Sequence, residues 1–183
     1  MKNKLFKLCG GAIIAVICLI VYFVLSSLPR ENKSREIVRQ WYGKEIILPQ
    51  EIEYKIMGRD TMCPELWDKP YKILTYADSA GCTSCQLGIP QWQQIINTCK
   101  LDSIDVGFLF VIHLPNYADL GYELLYFDYP IIYDKHNSFD KLNHFPPLPY
   151  RTFLLDKDNK VILVGSPINN PKLLEIYMNI MTM

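Results

Sequence analysis

With 183 residues, 19 basic and 19 acidic, the chain has room for one domain of ordinary size plus an appendage, and carries no net charge. That balance, without a basic cluster interleaved with aromatics, excludes a nucleic-acid interface and offers no field that would collect an acidic substrate. About 140 residues beyond the amino-terminal region can bury roughly two thirds of their unfolded surface, so the fold needs no disulfide staple.

Lys2, Lys4 and Lys7 precede an uncharged run from Leu8 to Leu28. At about 1.5 Å per residue this run spans the roughly 30 Å hydrocarbon core of a bilayer. It predicts a signal anchor, a single transmembrane helix within residues 1–28; cleavage after the weak site Ser26-Ser27 is the alternative. The lysines favour a cytoplasmic start, although Arg30, Lys33, Arg35 and Arg39 weaken the asymmetry. Cys9 and Cys18 read as membrane-embedded apolar residues, with lipidation an option for Cys9. Residues 29–43 form a juxtamembrane stalk, helical over Ser34 to Gln40, and residues 44–183 the folded domain.

Glu45 to Pro49 and Ile52 to Ile56 read as strands, with a turn at Gly58-Arg59-Asp60, making a small hairpin. Tyr71 to Ala77 is rich in β-formers and stops at the turn-prone Asp78-Ser79-Ala80-Gly81, which predicts a strand. Then comes Cys82-Thr83-Ser84-Cys85. Cys85, Ile89, Trp92, Ile96 and Cys99 follow at helical spacing and define one apolar helix face. Cys82 falls at the first turn of that helix, where unpaired N–H groups and the positive dipole end favour a thiolate. No cation lies near it in sequence and Asp78 does, so the expected activation is moderate.

The apolar run Val106 to Ile112 predicts a strand buried on both faces. Asn116 is positioned to cap a helix from Tyr117 to about Phe127, interrupted by Gly121. Pro130 to Tyr133 is a short strand, Ser138 to Asn143 a short helix, and Phe145 to Pro149 a stiff loop leading toward the cysteine pair. A hairpin turns over Asp156 to Lys160, with Val161 to Val164 as its second strand. Asn170 caps and Pro171 opens a last helix that presents Leu173, Leu174, Tyr177 and Ile180. Alternating strands and helices, then a hairpin and a helix, argue for an α/β fold with a mixed central sheet flanked by helices.

Two thiols separated by two residues are the minimal dithiol/disulfide redox site, and also half of a zinc site. A second such pair is missing and His113, His136 and His144 are scattered, so the reading is redox and no metal is expected. Cys82 is the nucleophile and Cys85, one turn further in, resolves the mixed disulfide. Cys99 lies about 21 Å along the helix from Cys85 and cannot bridge to it. Cys63 reads as a structural thiol, a partner of Cys99 or a relay. Asp78 reads as a turn residue with an option of relaying protons to Cys85.

These residues resemble the thioredoxin superfamily. Pro90 stands five residues after Cys85, where the family has the proline of its active-site helix. Tyr129 to Asp134 and Thr152 to Val161 resemble two later segments of the membrane-anchored TlpA-like and ResA-like subgroup, and the likeness covers roughly residues 70 to 181. An amino-terminal hairpin added to the core also occurs there. Gly81 departs from the tryptophan usual before the first cysteine. The family's cis-proline normally stands three residues before the phenylalanine; here Pro149 is four before Phe153 and Tyr150 occupies the usual position. The resemblance implies that the Pro149 to Arg151 loop lines a groove for extended substrate, making Pro149 and Tyr150 substrate-binding candidates. It implies protein thiol or disulfide substrates, a redox partner protein, no cofactor, and a domain on the extracytoplasmic, periplasmic side of the membrane. The alternatives are a copper metallochaperone using Cys82, Cys85 and His144, a non-catalytic binding module, and a thiol peroxidase relative, for which Ser79 and Arg151 are the only echoes.

Overall fold

The computed structural model describes residues 17–23, 29–79, 87–116, 124 and 126–183. They fall into two compact units, Met1–Arg39 and Gln40–Met183. In the first, residues 17–23 are helical and Ile17, Leu19, Ile20, Val21, Tyr22 and Phe23 are exposed. Among the described residues no helix is long and apolar enough to cross a membrane; most of the run from Leu8 to Leu28 lies outside them. Helix α1 (Pro29–Trp41) begins in the first unit and ends in the second, longer than the stalk helix expected.

The second unit is built on strands β1 (Glu53–Ile56), β2 (Arg59–Thr61), β3 (Tyr71–Ala77), β4 (Val106–Ile112), β5 (Ile131–Tyr133), β6 (Thr152–Leu155) and β7 (Val161–Val164). They form one sheet in the order β2-β1-β5-β4-β3-β6-β7. β3, β4 and β5 run parallel, and the remaining pairs are antiparallel. β4 is buried along its whole length, as its unbroken apolar run requires for a strand covered on both faces.

Helix α2 (Ile89–Leu101) packs on one face through Ile89, Trp92, Ile95, Ile96 and Cys99. Trp92 sits edge-on to Phe108 at 6.1 Å and Phe110 at 5.5 Å, a favourable geometry for aromatic quadrupoles. The last helix, α4 (Pro171–Met181), joins this layer. The Asn170 side chain accepts from the Leu173 N–H at 3.2 Å, and Tyr177 is fully buried with its hydroxyl donating to the Gly165 carbonyl at 2.8 Å. A second aromatic cluster stacks Trp41 on Phe153 (4.7 Å) and Phe145 (5.8 Å), with Tyr76 on Phe145 at 4.5 Å. Helix α3 (Ser138–Asn143) is held at its start by Asp134, whose carboxylate accepts from the N–H groups of Ser138 and Phe139 at 2.7 and 2.9 Å.

The hairpin forms later than the sequence suggests. Its strands are β1 and β2, and its turn is Met57-Gly58, both at positive φ (48° and 78°), rather than Gly58-Arg59-Asp60. Glu45 to Pro49 is no strand of it: Glu45 bridges Lys160, and Ile46 donates to the Asn159 carbonyl at 2.9 Å. That segment's backbone is satisfied by a turn more than a hundred residues away. The helix expected over Tyr117 to Phe127 lies mostly outside the described residues; Leu124 is helical and Phe127 is not. At the start of β4, Gly107 is packed so closely beneath the 3₁₀ turn Pro64–Leu66 that a Cβ would overlap the Leu66 carbonyl.

Candidate active site

Parallel strands deliver their carboxyl ends to one edge of a sheet, where open α/β folds bind ligands. β3 is central, flanked by β4 and β6, and its chain continues through Asp78 and Ser79 into residues 80–86. Cys82 and Cys85 belong to that segment and lie outside the described residues. On the far side Leu87 is buried, Gly88 has φ +60°, and α2 starts at Ile89 with Pro90 in its first turn. The continuous helix face expected from Cys85 is therefore interrupted at Gly88, whose left-handed backbone a side chain would strain. From Ile89 onward the expected face is buried.

Facing the end of β3 is the loop between α3 and β6. Phe145 and Pro146 are buried in its base, while Pro147, Leu148 and Pro149 are exposed and Tyr150 is half-buried. The Leu148–Pro149 peptide bond is cis, and the Tyr150 N–H donates to the Pro147 carbonyl at 3.1 Å. His144, also at positive φ, is exposed at the start of this loop.

Arg151 closes the loop. Its Nε donates to the Pro146 carbonyl at 2.9 Å and its Nη1 donates to Asp78 Oδ2 at 2.6 Å. Its guanidinium lies 5.5 Å from the centre of the Tyr76 ring, and its own carbonyl accepts from the Tyr76 N–H at 2.9 Å. Only 18% of the Arg151 side chain and 20% of the Asp78 side chain are exposed, so the pair is poorly screened by water. Asp78 is thus more than a turn residue: it fixes a cation.

Tyr76, buried one turn of strand before Asp78, donates its hydroxyl to Asn137 Oδ1 at 2.6 Å. Burial raises its pKa strongly, the Asp140 and Asp78 carboxylates add to the rise, and Arg151 opposes it. The phenol stays protonated and ties β3 to the start of α3. His113, just past β4, has its Nδ1 2.7 Å from the Asp134 carbonyl and so supports the same corner.

Cys63 and Cys99 are both buried free thiols. Burial raises both, Cys99 to about 11, with a Thr61 hydrogen bond pulling Cys63 back. Neither is a ready nucleophile at neutral pH. Among the described residues no group of three or more His, Cys, Asp or Glu side chains could hold a metal ion.

The sequence places Arg151 at the end of the loop that the resemblance implies lines a groove and offers it as a faint peroxidase echo, but it does not pair Arg151 with Asp78, and it gives Tyr76 only as part of the strand. No local signal links Arg151 to Asp78, which are 73 residues apart. The one available hint was a charged pair bracketing two segments already suspected of meeting.

Neither a protein-family profile nor a curated protein sequence matches the chain. Solved structures do. A thiol:disulfide interchange protein, DsbE, of Chlorobium tepidum superposes with a TM-score of 0.52 at 18% identity, over 63% of this chain and 82% of that one. A thiol:disulfide interchange protein from a Bacteroides species gives 0.53 at 14% identity, over 78% and 92%. Mycobacterium bovis AhpC gives 0.54 at 12% identity, over 76% and 96%. At such identities the likeness is one of fold: the chain has a mixed α/β, thioredoxin-like fold, with thiol:disulfide oxidoreductases among its structural neighbours.

Proposed function

We propose that the chain is a membrane-tethered thiol-disulfide oxidoreductase that works on protein substrates through Cys82 and Cys85. The observation that carries this reading is the frame around residues 80–86: the end of the central strand, the start of α2, and an exposed loop tied to Asp78. A segment so bracketed, with two thiols at that spacing, is a site for disulfide exchange. The interchange proteins among the structural neighbours support the same chemistry. The exposed apolar side chains of residues 17–23 support the tether, and a tethered dithiol suits the oxidising, extracytoplasmic side of a membrane.

The Cys82 thiolate attacks one sulfur of a substrate disulfide, forming a mixed disulfide while the other substrate sulfur leaves as a thiolate and takes a proton. The Cys85 thiolate then attacks Cys82, closing the Cys82–Cys85 bond and releasing the second substrate thiol. Two electrons pass from the chain to the substrate; with a reduced substrate the steps run backwards. Replacing Cys85 with Ala traps mixed disulfides on Cys82.

The test is a redox titration of the chain against graded glutathione or dithiothreitol buffers, with alkylation and peptide mass spectrometry to locate the bond. A Cys82–Cys85 disulfide that equilibrates supports the reading; a potential near about −270 mV marks a reductant and one near about −120 mV an oxidant. If only Cys63 and Cys99 respond, the proposal falls. A second reading, a thiol peroxidase relative, draws on the fold likeness to AhpC. It would leave Arg151 needed for peroxide while Asp78 and the Pro146 carbonyl already occupy it. Rapid peroxide consumption dependent on Cys82 would favour that reading.

A further inference from the structure

The side chain of Arg151 does two jobs that are usually divided. By bonding the Pro146 carbonyl it joins the two ends of the loop that projects Pro147, Leu148, Pro149 and Tyr150. By bonding Asp78 it fastens that closed loop to the last residues of the strand that leads into the dithiol segment. The Tyr76 ring lies under the guanidinium and restricts it further. Backbone hydrogen bonding repeats the attachment, because the Arg151 carbonyl receives the Tyr76 N–H. A lysine could reach one of the two acceptors; only the planar fork of arginine holds both at fixed angles.

We infer that Arg151 is a positioning residue for disulfide exchange with protein substrates, through its simultaneous grip on Asp78 and the loop Pro147–Tyr150. This rests on the oxidoreductase reading and adds to it a reason why large and small disulfides should be handled differently. A small disulfide needs only the Cys82 sulfur. A polypeptide disulfide must also lie against the exposed loop, and a loop free to move relative to the dithiol segment presents the sulfur in the wrong line of attack. Misplacement of about 1 Å by a residue remote from the chemistry can cost up to about a hundredfold in rate.

The experiment uses the chain carrying Cys85→Ala, in detergent, so that each encounter stops after one attack by Cys82. Two disulfides with the same leaving group are compared: dithiodipyridine, and an unfolded protein whose single cysteine carries thiopyridine. In both, the Cys82 sulfur forms the new S–S bond, the old one breaks, and the thiopyridine sulfur departs with the electron pair and takes a proton. The signal from a matching Cys82→Ala chain is subtracted. Because both reactions share one nucleophile, the ratio of their rates cancels the thiolate fraction and the folded fraction.

Arg151→Met is expected to lower the protein-to-small-molecule rate ratio on the order of tenfold, with Arg151→Lys falling between it and the parent. A merely structural role would slow both reactions together and leave the ratio unchanged, and that result overturns the inference. A parent chain that reacts with neither disulfide through Cys82 removes the oxidoreductase reading itself, and the inference with it.

Discussion

β3 meets a buried or half-buried cation at each end, and the two are held differently. At its start, Lys72 is fully buried, yet its Nζ finds only neutral acceptors, the carbonyls of Trp67 at 3.2 Å and Lys157 at 3.0 Å. Burial lowers its pKa, and Asp156, Asp158 and Asp68 pull the other way from a distance. At its finish, Arg151 pairs directly with a carboxylate and keeps about a fifth of its surface in water. The first arrangement pins two loops at the end of the strand away from Asp78. The second ties a projecting loop to Asp78, the residue that follows β3. A cation satisfied by carbonyls secures a scaffold; under the proposed function, one satisfied by a carboxylate on the chain leading into residues 80–86 also bears on the charge beside the dithiol.

Substitutions can break this comparison. The largest effect is expected from Lys72→Ala, which leaves two carbonyls without a donor and opens a void, at about 3 kcal/mol in urea unfolding. It should leave the ratio of protein to small-disulfide exchange rates unchanged; a shifted ratio would mean that the two ends are not separate. Gly107→Ala loads the same end by pushing on the Leu66 carbonyl, backbone that cannot yield easily, and is expected to cost about 2 kcal/mol by the same measurement. Arg151→Met leaves Asp78 without its guanidinium in a partly solvated place, for about 1–2 kcal/mol, less than a fully buried pair would lose.

Asp78→Asn keeps an acceptor for Arg151 and is expected to cost under about 1 kcal/mol; a loss equal to that of Arg151→Met would show that charge, not anchoring, dominates there. The smallest effect is a difference in pH dependence. Lys72 in the folded chain releases its proton below the ordinary 10.5 at which the unfolded chain does. Between those two values the unfolded state binds more protons, so stability rises with pH. Parent minus Lys72→Met stability, followed by urea titrations up to pH 10.5, should therefore increase toward the alkaline end. Arg151 keeps its charge throughout and gives no such slope.

Much of this architecture could be read from the residues alone. β3, β4 and α3 fall on the predicted residues because each is bounded by its own chemistry: Asp78 after one strand, Asp105 and His113 around the other, and Asn137 and His144 in left-handed turns at either end of the short helix. α4 is announced by Asn170 and Pro171. The hairpin register was not legible, because Met57 takes a positive φ that no propensity assigns to methionine. Lys72 is of a residue type that ordinarily keeps its charge in water, but both faces of β3 are covered and the side chain is buried with the rest of the strand. The Asp78–Arg151 pair is a product of β3 and β6 lying side by side, and pairing between distant strands leaves no local trace. Pro149 and Tyr150 fall in the loop beside the end of β3, their part in substrate binding belonging to the proposal, whereas Cys82 and Cys85 lie outside the described residues.

Trp41 has a practical bearing on how the chain can be trimmed. Its ring forms one wall of the stack that includes Phe145 and Phe153, and the Lys44 ammonium lies 3.9 Å from its centre. A protease that cuts ahead of Gln40 would release a fragment with that wall in place. One that cuts between Trp41 and Lys44 would uncover two phenylalanines, one of them at the root of the Arg151 loop, and the fragment would be expected to clump through the newly wet aromatic face.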